Sequence, residues 1–325
     1  MIELDWDRLA SLCATAITKA GGDEATAAAL TDAVVAAERR GNSPVGVAHL
    51  MDYLDSLRCG RINGTPRPVV RNDRRSVITA AADDGIAQVA YHAARPALLH
   101  AVRECGVAVL SISESYTVGE LGYYAFDLAA EGLVALAAAN STPLMSVYGA
   151  PDAIAGTNPL SFALPGDPPR LVDQASSAVA WVRLRNAAAA GESIPPDWAF
   201  DADGNPTTDA KAALLGAVLP FGGIKGSNLA SIIELLAVLS GASFSIDAPD
   251  FASGDTPPRV GMFLVALDPD AFSADYLDRV DSHFERLRDR YGIDFGRYYS
   301  SVERPRLPDD LFARLEKAGQ PTPAS

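Results

Sequence analysis

One stretch limits the folds open to this chain more than any other: Gly149-Ala150-Pro151-Asp152-Ala153-Ile154-Ala155-Gly156-Thr157-Asn158-Pro159. It lies between two apolar runs, 133–139 and 160–164, each of strand length. Gly156 can enter the left-handed region, Thr157 and Asn158 carry short hydrogen-bonding side chains, and Pro159 fixes its own φ. A tight polar turn between two buried strands is where an α/β protein commonly holds a ligand. It is also what an ordinary turn looks like. The rest of the chain has to decide.

The pattern around that turn is α/β. Asp5 can cap a helix whose apolar face is Leu9, Leu12, Cys13 and Ile17, stopped by Gly21-Gly22. An Ala-rich helix is expected over 23–40. Ser43 as N-cap and Pro44 at the first helical position predict a third helix to about residue 58, with Val45 and His49 on one face. Val69-Val70 and residues 77–80 read as short strands, and 86–104 as helix that Pro96 kinks or divides. A strand at 107–112, a helix over 119–131 and a strand at 133–139 form a β-α-β order, which predicts parallel pairing through a crossover. Residues 171–173 are a strand feeding a helix over 176–190. The Pro/Asp/Gly/Asn loop at 192–210 is long enough to suggest function or an interface. Residues 220–226 open an apolar helix to about 241. A strand at 260–267, an amphipathic helix near 273–291 and a short helix near 308–318 complete the order. The 320–325 tail is expected to fray.

With 325 residues the chain exceeds what one core normally serves, so one large or two closely packed domains are expected. The division predicted is 1–75 plus 260–325 as a helical, substrate and dimerisation part, with 76–259 as the cofactor-binding α/β part. A net charge of -14 repels phosphate backbones and anionic membranes, so no nucleic-acid or membrane partner is expected. No uncharged apolar run reaches membrane-span length, and the acidic N-terminus lacks an apolar leader core. Cys13, Cys59 and Cys105 form no CxxC pair and read as reduced thiols of a cytoplasmic protein. The sequence holds no GxGxxG after a strand, no phosphate-binding GxxxxGK[ST] and no GxSxG elbow. His49, His92, His100 and His283 have no ligand spacing, so no metal is expected. The last three of these read as ordinary helix residues.

Several segments together resemble the malate/L-lactate dehydrogenase family that lacks a Rossmann domain. That family includes sulfolactate, ureidoglycolate and diketogulonate dehydrogenases and Δ1-piperideine-2-carboxylate reductase. The likeness is carried by Arg40-Gly41 with Gly46-Val47-Ala48, Gly60-Arg61-Ile62-Asn63, Gly119 with Gly122-Tyr123-Tyr124-Ala125, Gly156-Thr157-Asn158-Pro159, Asp173-Gln174-Ala175-Ser176-Ser177, residues 203–209 and residues 220–226. It runs over nearly the whole chain. It implies an α/β, non-Rossmann mixed-sheet fold of the sulfolactate dehydrogenase type with an N-terminal helical segment, usually a homodimer. It also implies NADPH or NADH as cofactor, hydride transfer to a small 2-oxo acid or cyclic imine acid, and an acid that protonates oxygen or nitrogen.

The chain departs from the family at the reacting end. The family motif Gly-x-x-Ser-His-Gly-x-x-Arg has Pro44-Val45 in place of Ser-His, and His49 in place of the arginine. In Ser-Asn-His-Phe-Gly the histidine is Thr117, within Ser115-Tyr116-Thr117-Val118-Gly119. Val45 has no proton to give, and His49 lacks the carboxylate fork of a guanidinium. The substitutions favour a substrate with no free carboxylate, or with one held elsewhere. An iminium also needs a neighbouring acid less than a ketone does. His49, Tyr116 and Asp173 are the candidate catalytic residues. The resemblance places Thr117, Gly119, Thr157, Asn158 and Gly226 at the cofactor, together with Arg183 where the family has lysine. Ser176 and Ser177 at a helix start could aim hydroxyls and N–H groups at a pyrophosphate, and Lys225 could meet phosphate or ribose. The expected activity is NAD(P)H-dependent reduction of an imine or unusual carbonyl of a small metabolite. The alternatives are a non-redox reaction in the same pocket or a catalytically silent dimeric binding protein.

Overall fold

The computed structural model describes residues 1–296 and 302–320. The tail expected to fray, 320–325, lies outside them from residue 321 onward. The N-terminal part runs β1 (Ile2–Glu3), α1 (Trp6–Lys19), α2 (Glu24–Arg39), a 3-10 turn (Ser43–Val45) and α3 (Val47–Arg58). Asp5 and Asp23 cap α1 and α2 by accepting the N–H groups of Arg8 and Thr26. The α/β part follows with β2 (Val69–Arg74), β3 (Val77–Ala81), α4 (Ala87–Cys105), β4 (Val107–Ser115), α5 (Gly122–Ala130), β5 (Val134–Ala139), β6 (Leu160–Leu164) and β7 (Arg170–Gln174). Pro96 lies inside α4, which continues through it. Then come α6 (Trp181–Ala190), β8 (Ala199–Phe200), α7 (Ala210–Ala213), β9 (Ala217–Val218), α8 (Ile224–Ala237), β10 (Val260–Leu267), α9 (Tyr276–Tyr291), β11 (Arg306–Leu307) and α10 (Asp309–Ala318).

The main sheet has the order β2-β3-β4-β10-β5-β6-β7. Only β3 and β4 pair in parallel, with Ile78 opposite Leu110 and Ala80 opposite Ile112. The β-α-β order of β4, α5 and β5 does give two strands of one direction, but they are not neighbours. β10 lies between them, antiparallel to both, with Leu264 opposite Leu110 on one side and Ala137 on the other. A local pattern cannot anticipate a central strand that arrives so late in the chain.

Among the described residues three apolar cores result. The sheet core gathers Ile78, Leu98, Leu110, Tyr124, Leu128 and Leu264. The helical core joins Leu9, Ile17, Leu30, Leu50 and Leu54 to Leu307 and Leu315, so the chain's two ends close one layer. A third core, with Met145, Val179, Leu184, Ala199 and Val218, is built from the excursion between β5 and α8. The 192–210 loop belongs to it, through the β8–β9 pairing. Because β10 is central to the sheet, we propose that the boundary of the sheet-bearing part falls after residue 267, not at 260.

Candidate active site

The termini of these elements surround a cavity of about 350 Å³, within the size range of small-molecule sites. One wall is the 3-10 turn and the first turns of α3, through Val45, His49 and Asp52. A second is the β4–α5 loop, 117–121. A third combines Ser141, Thr142 and Thr157, and a fourth runs from Asp173 into α6 as far as Arg185. Phe251 also lines the cavity.

The helix-bearing wall is set by a buried carboxylate. Glu38 on α2 accepts the Val47 N–H at 2.8 Å and the Ser43 hydroxyl at 2.7 Å. A Cβ on Gly46 would meet Glu38 Oε1 at 2.2 Å, so that position has room only for glycine. Ser43 is therefore occupied with Glu38 and does not cap α3, which begins at Val47. Pro44 and Val45 sit in the separate 3-10 turn, contrary to the single helix expected, although Val45 and His49 still face one cavity.

His49 Nδ1 lies 2.9 Å from Asp52 Oδ2, and Arg185 reaches the same oxygen at 3.6 Å. Burial pushes the Asp52 carboxyl up, but the His49 hydrogen bond, the His49 charge and Arg185 outweigh it and hold it below its ordinary value. An ionised carboxylate only accepts, so Nδ1 carries the proton of this bond and Nε2 is the nitrogen left for a ligand. The ring stands edge-on to Tyr53 at 4.9 Å and to Phe251 at 6.4 Å.

Asp173 lies one residue before the end of β7, and its Oδ2 accepts the Gly122 N–H at 2.9 Å. A Cβ on Gly122 would lie 3.0 Å from that oxygen, so glycine permits the approach. The residue keeps some surface toward the cavity, yet desolvation pushes its carboxyl up to about 7. Glu120 adds to the rise, while the Gly122 N–H and Arg40 oppose it. At neutral pH Asp173 is thus divided between its protonated and ionised forms, and the protonated form predominates below about 7.

The β4–α5 loop is pinned from behind. Gln88 Nε2 and the Tyr124 hydroxyl both donate to the Val118 carbonyl. Gly119 is left-handed at φ 67°, with Gln88 Nε2 only 2.8 Å from where a Cβ would stand. Thr117 lines the cavity and donates its hydroxyl to Tyr53 Oη. Thr142 Oγ1 is buried in the wall without a partner.

The remaining candidates, Thr157 apart, fall elsewhere. Tyr116 is fully buried, accepting from Ser56 Oγ and donating to the Phe251 carbonyl, each at 2.8 Å. Burial pushes its phenol above the ordinary value, so its part is to hold the Phe251 segment from behind the cavity. In the 156–159 turn Thr157 lines the cavity. Asn158 takes the left-handed conformation (φ 34°) that Gly156 was expected to supply, and its amide donates to Ala230 O and Glu234 Oε2. Gly156 is needed for close approach instead, since a Cβ there would stand 2.5 Å from Ser141 Oγ. Ser176 and Ser177 precede α6 by several residues. Their segment pairs with 219–221 and their hydroxyls bond Asn158 O and Val179 O, so no helix N-terminus forms around them. Arg183 stacks over Trp198 at 4.8 Å. Lys225 is exposed at the start of α8, and Gly226 packs against the Phe221 carbonyl, both outside the cavity wall. Sequence reasoning overlooked Asp52, Glu120, Thr142, Arg185 and Phe251. Only Asp52 left a local signal, three residues after His49 on one helix face.

Residues 4–298 match the malate/L-lactate dehydrogenase family. Over 292 residues the chain is 34% identical to Δ1-pyrroline-2-carboxylate reductase 2 of Burkholderia multivorans, covering 89% of this chain and 86% of that protein. It is 36% identical over 274 residues to the (2R)-3-sulfolactate dehydrogenase (NADP(+)) of Chromohalobacter salexigens, covering 83% and 81%. Among solved structures, Δ1-piperideine-2-carboxylate reductase from Pseudomonas syringae pvar. tomato superposes with a TM-score of 0.91 at 31% identity, over 98% of this chain and 100% of that one. Among the described residues no helix is long and apolar enough to cross a membrane, and no group of three or more metal-ligating side chains forms. The mixed sheet, the helical layer closed by both chain ends and the cavity between them are those of an oxidoreductase, and the chain belongs to the malate/L-lactate dehydrogenase family.

Proposed function

We propose that this chain reduces the C=N bond of a small cyclic imine acid, with NADPH or NADH as cofactor. The observation that carries the reading is the convergence on one cavity of the 156–159 turn, the 117–121 loop and a carboxyl that holds a proton near neutral pH. The wall fits the nicotinamide end of the cofactor. Gly119 leaves its backbone bare, Thr157 offers a short polar contact, and the orphaned Thr142 hydroxyl lacks a partner that an amide would provide. The nicotinamide, when bound, supplies the hydride. Asp173 holds the proton on its carboxyl and gives it to the substrate nitrogen. His49, fixed through Nδ1 by Asp52, presents Nε2 to the substrate. Phe251, tethered through its carbonyl by Tyr116 and Arg61, limits water access.

Fluorescence titration with each nucleotide, then turnover of Δ1-pyrroline-2-carboxylate, tests this reading. Saturable binding and loss of nicotinamide absorbance are expected. Absence of saturation with both nucleotides at millimolar concentration removes the reading. Substrate conversion at constant absorbance would instead support the non-redox alternative.

We also infer a homodimer. Ile232 and Leu235 share one exposed face of α8, Leu239 is exposed two residues past its end, and Ile224 and Phe244 are exposed as well. The opposite face, with Ala230, Ile233 and Ala237, is buried in the protein. So much exposed aliphatic surface on one helix suits a second copy. Sedimentation equilibrium should give twice the chain mass, and Leu235→Arg should shift it toward monomer. A wild-type monomer at micromolar concentration would end this inference. All three cysteines are free thiols, which fits a reducing cytoplasm, and recovery of the chain in an exported fraction would contradict that placement.

A further inference from the structure

The family's substrate-clamping arginine has become His49, which leaves the question of what replaces it. We propose that Arg185, reaching in from α6, is the guanidinium that takes the carboxylate of an anionic substrate in this cavity. The inference rests on the imine-acid reading above.

The juxtaposition that carries it is the shared oxygen. Asp52 Oδ2 touches both His49 Nδ1 and Arg185 Nη2, so the guanidinium stands beside the helix turn from which the family's arginine projects. Arg185 lines the cavity and retains about a third of its side-chain surface. Among the described residues its one ionic contact is that 3.6 Å approach to Asp52, made through Nη2. The guanidinium has five N–H donors, and those not turned to Asp52 are open to a ligand. The nearby cations are engaged. Arg40 is paired bidentately with Glu120, Arg61 donates to Gly254 O, Phe251 O and Ser56 Oγ, and Arg183 stacks on Trp198. Arg185 is thus the guanidinium in this wall with donors to offer.

The charges around it permit an anion. Glu120 is offset by Arg40, and Asp52 is shared by His49 and Arg185. Asp173, the remaining carboxyl of the wall, brings no charge while it holds its proton. A carboxylate arriving at Arg185 gains charge-assisted hydrogen bonds, and Asp52 on the other side keeps the guanidinium from swinging into solvent. Arg183, two residues earlier on α6, cannot exchange roles with it, because it packs on Trp198 outside the wall.

The test uses a matched pair of planar probes, pyrrole-2-carboxylate and pyrrole-2-carboxamide, bound to the full chain by calorimetry without nucleotide. Wild type is expected to prefer the carboxylate by at least about tenfold. Arg185→Gln should erase that preference by weakening the carboxylate alone, leaving the carboxamide and the nucleotide affinity unchanged. Arg185→Lys should keep part of it, since the charge stays and the fork is lost. A wild type without preference overturns the proposal. So does an Arg185→Gln protein, folded by its melting curve, that keeps the preference. If Arg185→Gln does not fold, Arg185→Lys with undiminished preference overturns it equally. Failure of the reductase reading shows up separately, as absent nucleotide saturation in a wild type that still discriminates between the probes.

Discussion

Asp173→Asn is expected to lower imine turnover by about 10²–10⁴-fold, the usual contribution of a positioned general acid, with nucleotide affinity unchanged. The side chain keeps its shape and can still accept the Gly122 N–H, so the loop at the start of α5 should hold its position. What it loses is the proton. In wild type the carboxyl is pushed up to about 7, so the protonated, active form predominates below that pH. Reduction should therefore slow as pH rises through about 7, and the residual activity of Asp173→Asn should lack this limb. A wild-type kcat/KM profile that is flat across pH 6 to 8, by about one unit either side of that value, would remove Asp173 as the acid.

The same shift has a thermodynamic consequence of definite sign. The folded chain binds the Asp173 proton more tightly than the unfolded chain, whose carboxyl titrates near the ordinary value of 3.8. Between that value and about 7 the folded state holds a proton that the unfolded state has released, so stability falls as pH rises through the window. The cost is complete above it, at most about 4 kcal/mol from the size of the shift. Asp52 works in the opposite sense: its carboxyl is held low, so it stabilises above its ordinary value and that contribution is lost on acidification. Denaturant melts of wild type and Asp173→Asn at pH 5 and 8 separate the two. The variant should gain on wild type at the higher pH, and an equal difference at both values would contradict the assignment.

Much of the scaffold is legible in the sequence because it depends on short-range chemistry. Asp5 and Asp23 are caps that any reader of N-terminal signals would place. The left-handed Gly119 and the crowded Gly46, Gly122 and Gly156 mark backbone approaches that only glycine permits, and each lies in a segment that resembles the family. The site itself is less legible. Asp52 on α3 and Arg185 on α6 meet across the cavity, and nothing in the spacing of residues 52 and 185 encodes that. The expected single helix from Pro44 fails for a similar reason: Glu38 takes the Ser43 hydroxyl and the Val47 N–H, a tertiary competition that local capping rules do not see. Ser176 and Ser177 looked like a helix start because the helical pattern of 181–190 extends backward in sequence. The pairing of their segment with 219–221 overrides it.

Glu120→Gln should destabilise the chain by about 3–5 kcal/mol, the cost of leaving one member of a buried ion pair without its counter-charge. The Glu120 side chain is 1% exposed and that of Arg40 is 13%. Arg40 Nε lies 3.1 and 3.2 Å from the two Glu120 oxygens, Nη2 adds a further contact, and Asn42 Nδ2 donates to Oε1 at 3.1 Å. A glutamine can keep one of these contacts but not the charge. Arg40 also lies 5.2 Å over the Phe126 ring, so it is held in place even when its partner is neutral. The consequence reaches the chemistry, because Glu120 raises the Asp173 carboxyl and Arg40 lowers it. With Glu120 neutral, Arg40 acts alone, and the alkaline limb of the reduction profile should move to lower pH. Arg40→Met combined with Glu120→Leu separates the two effects. It replaces the pair by apolar groups of similar size, so most of the lost stability should return. It also removes both opposing charges, so the limb should lie above that of Glu120→Gln alone. A Glu120→Gln protein with wild-type stability and an unmoved limb would mean that this pair neither holds the β4–α5 loop nor sets the proton affinity of Asp173.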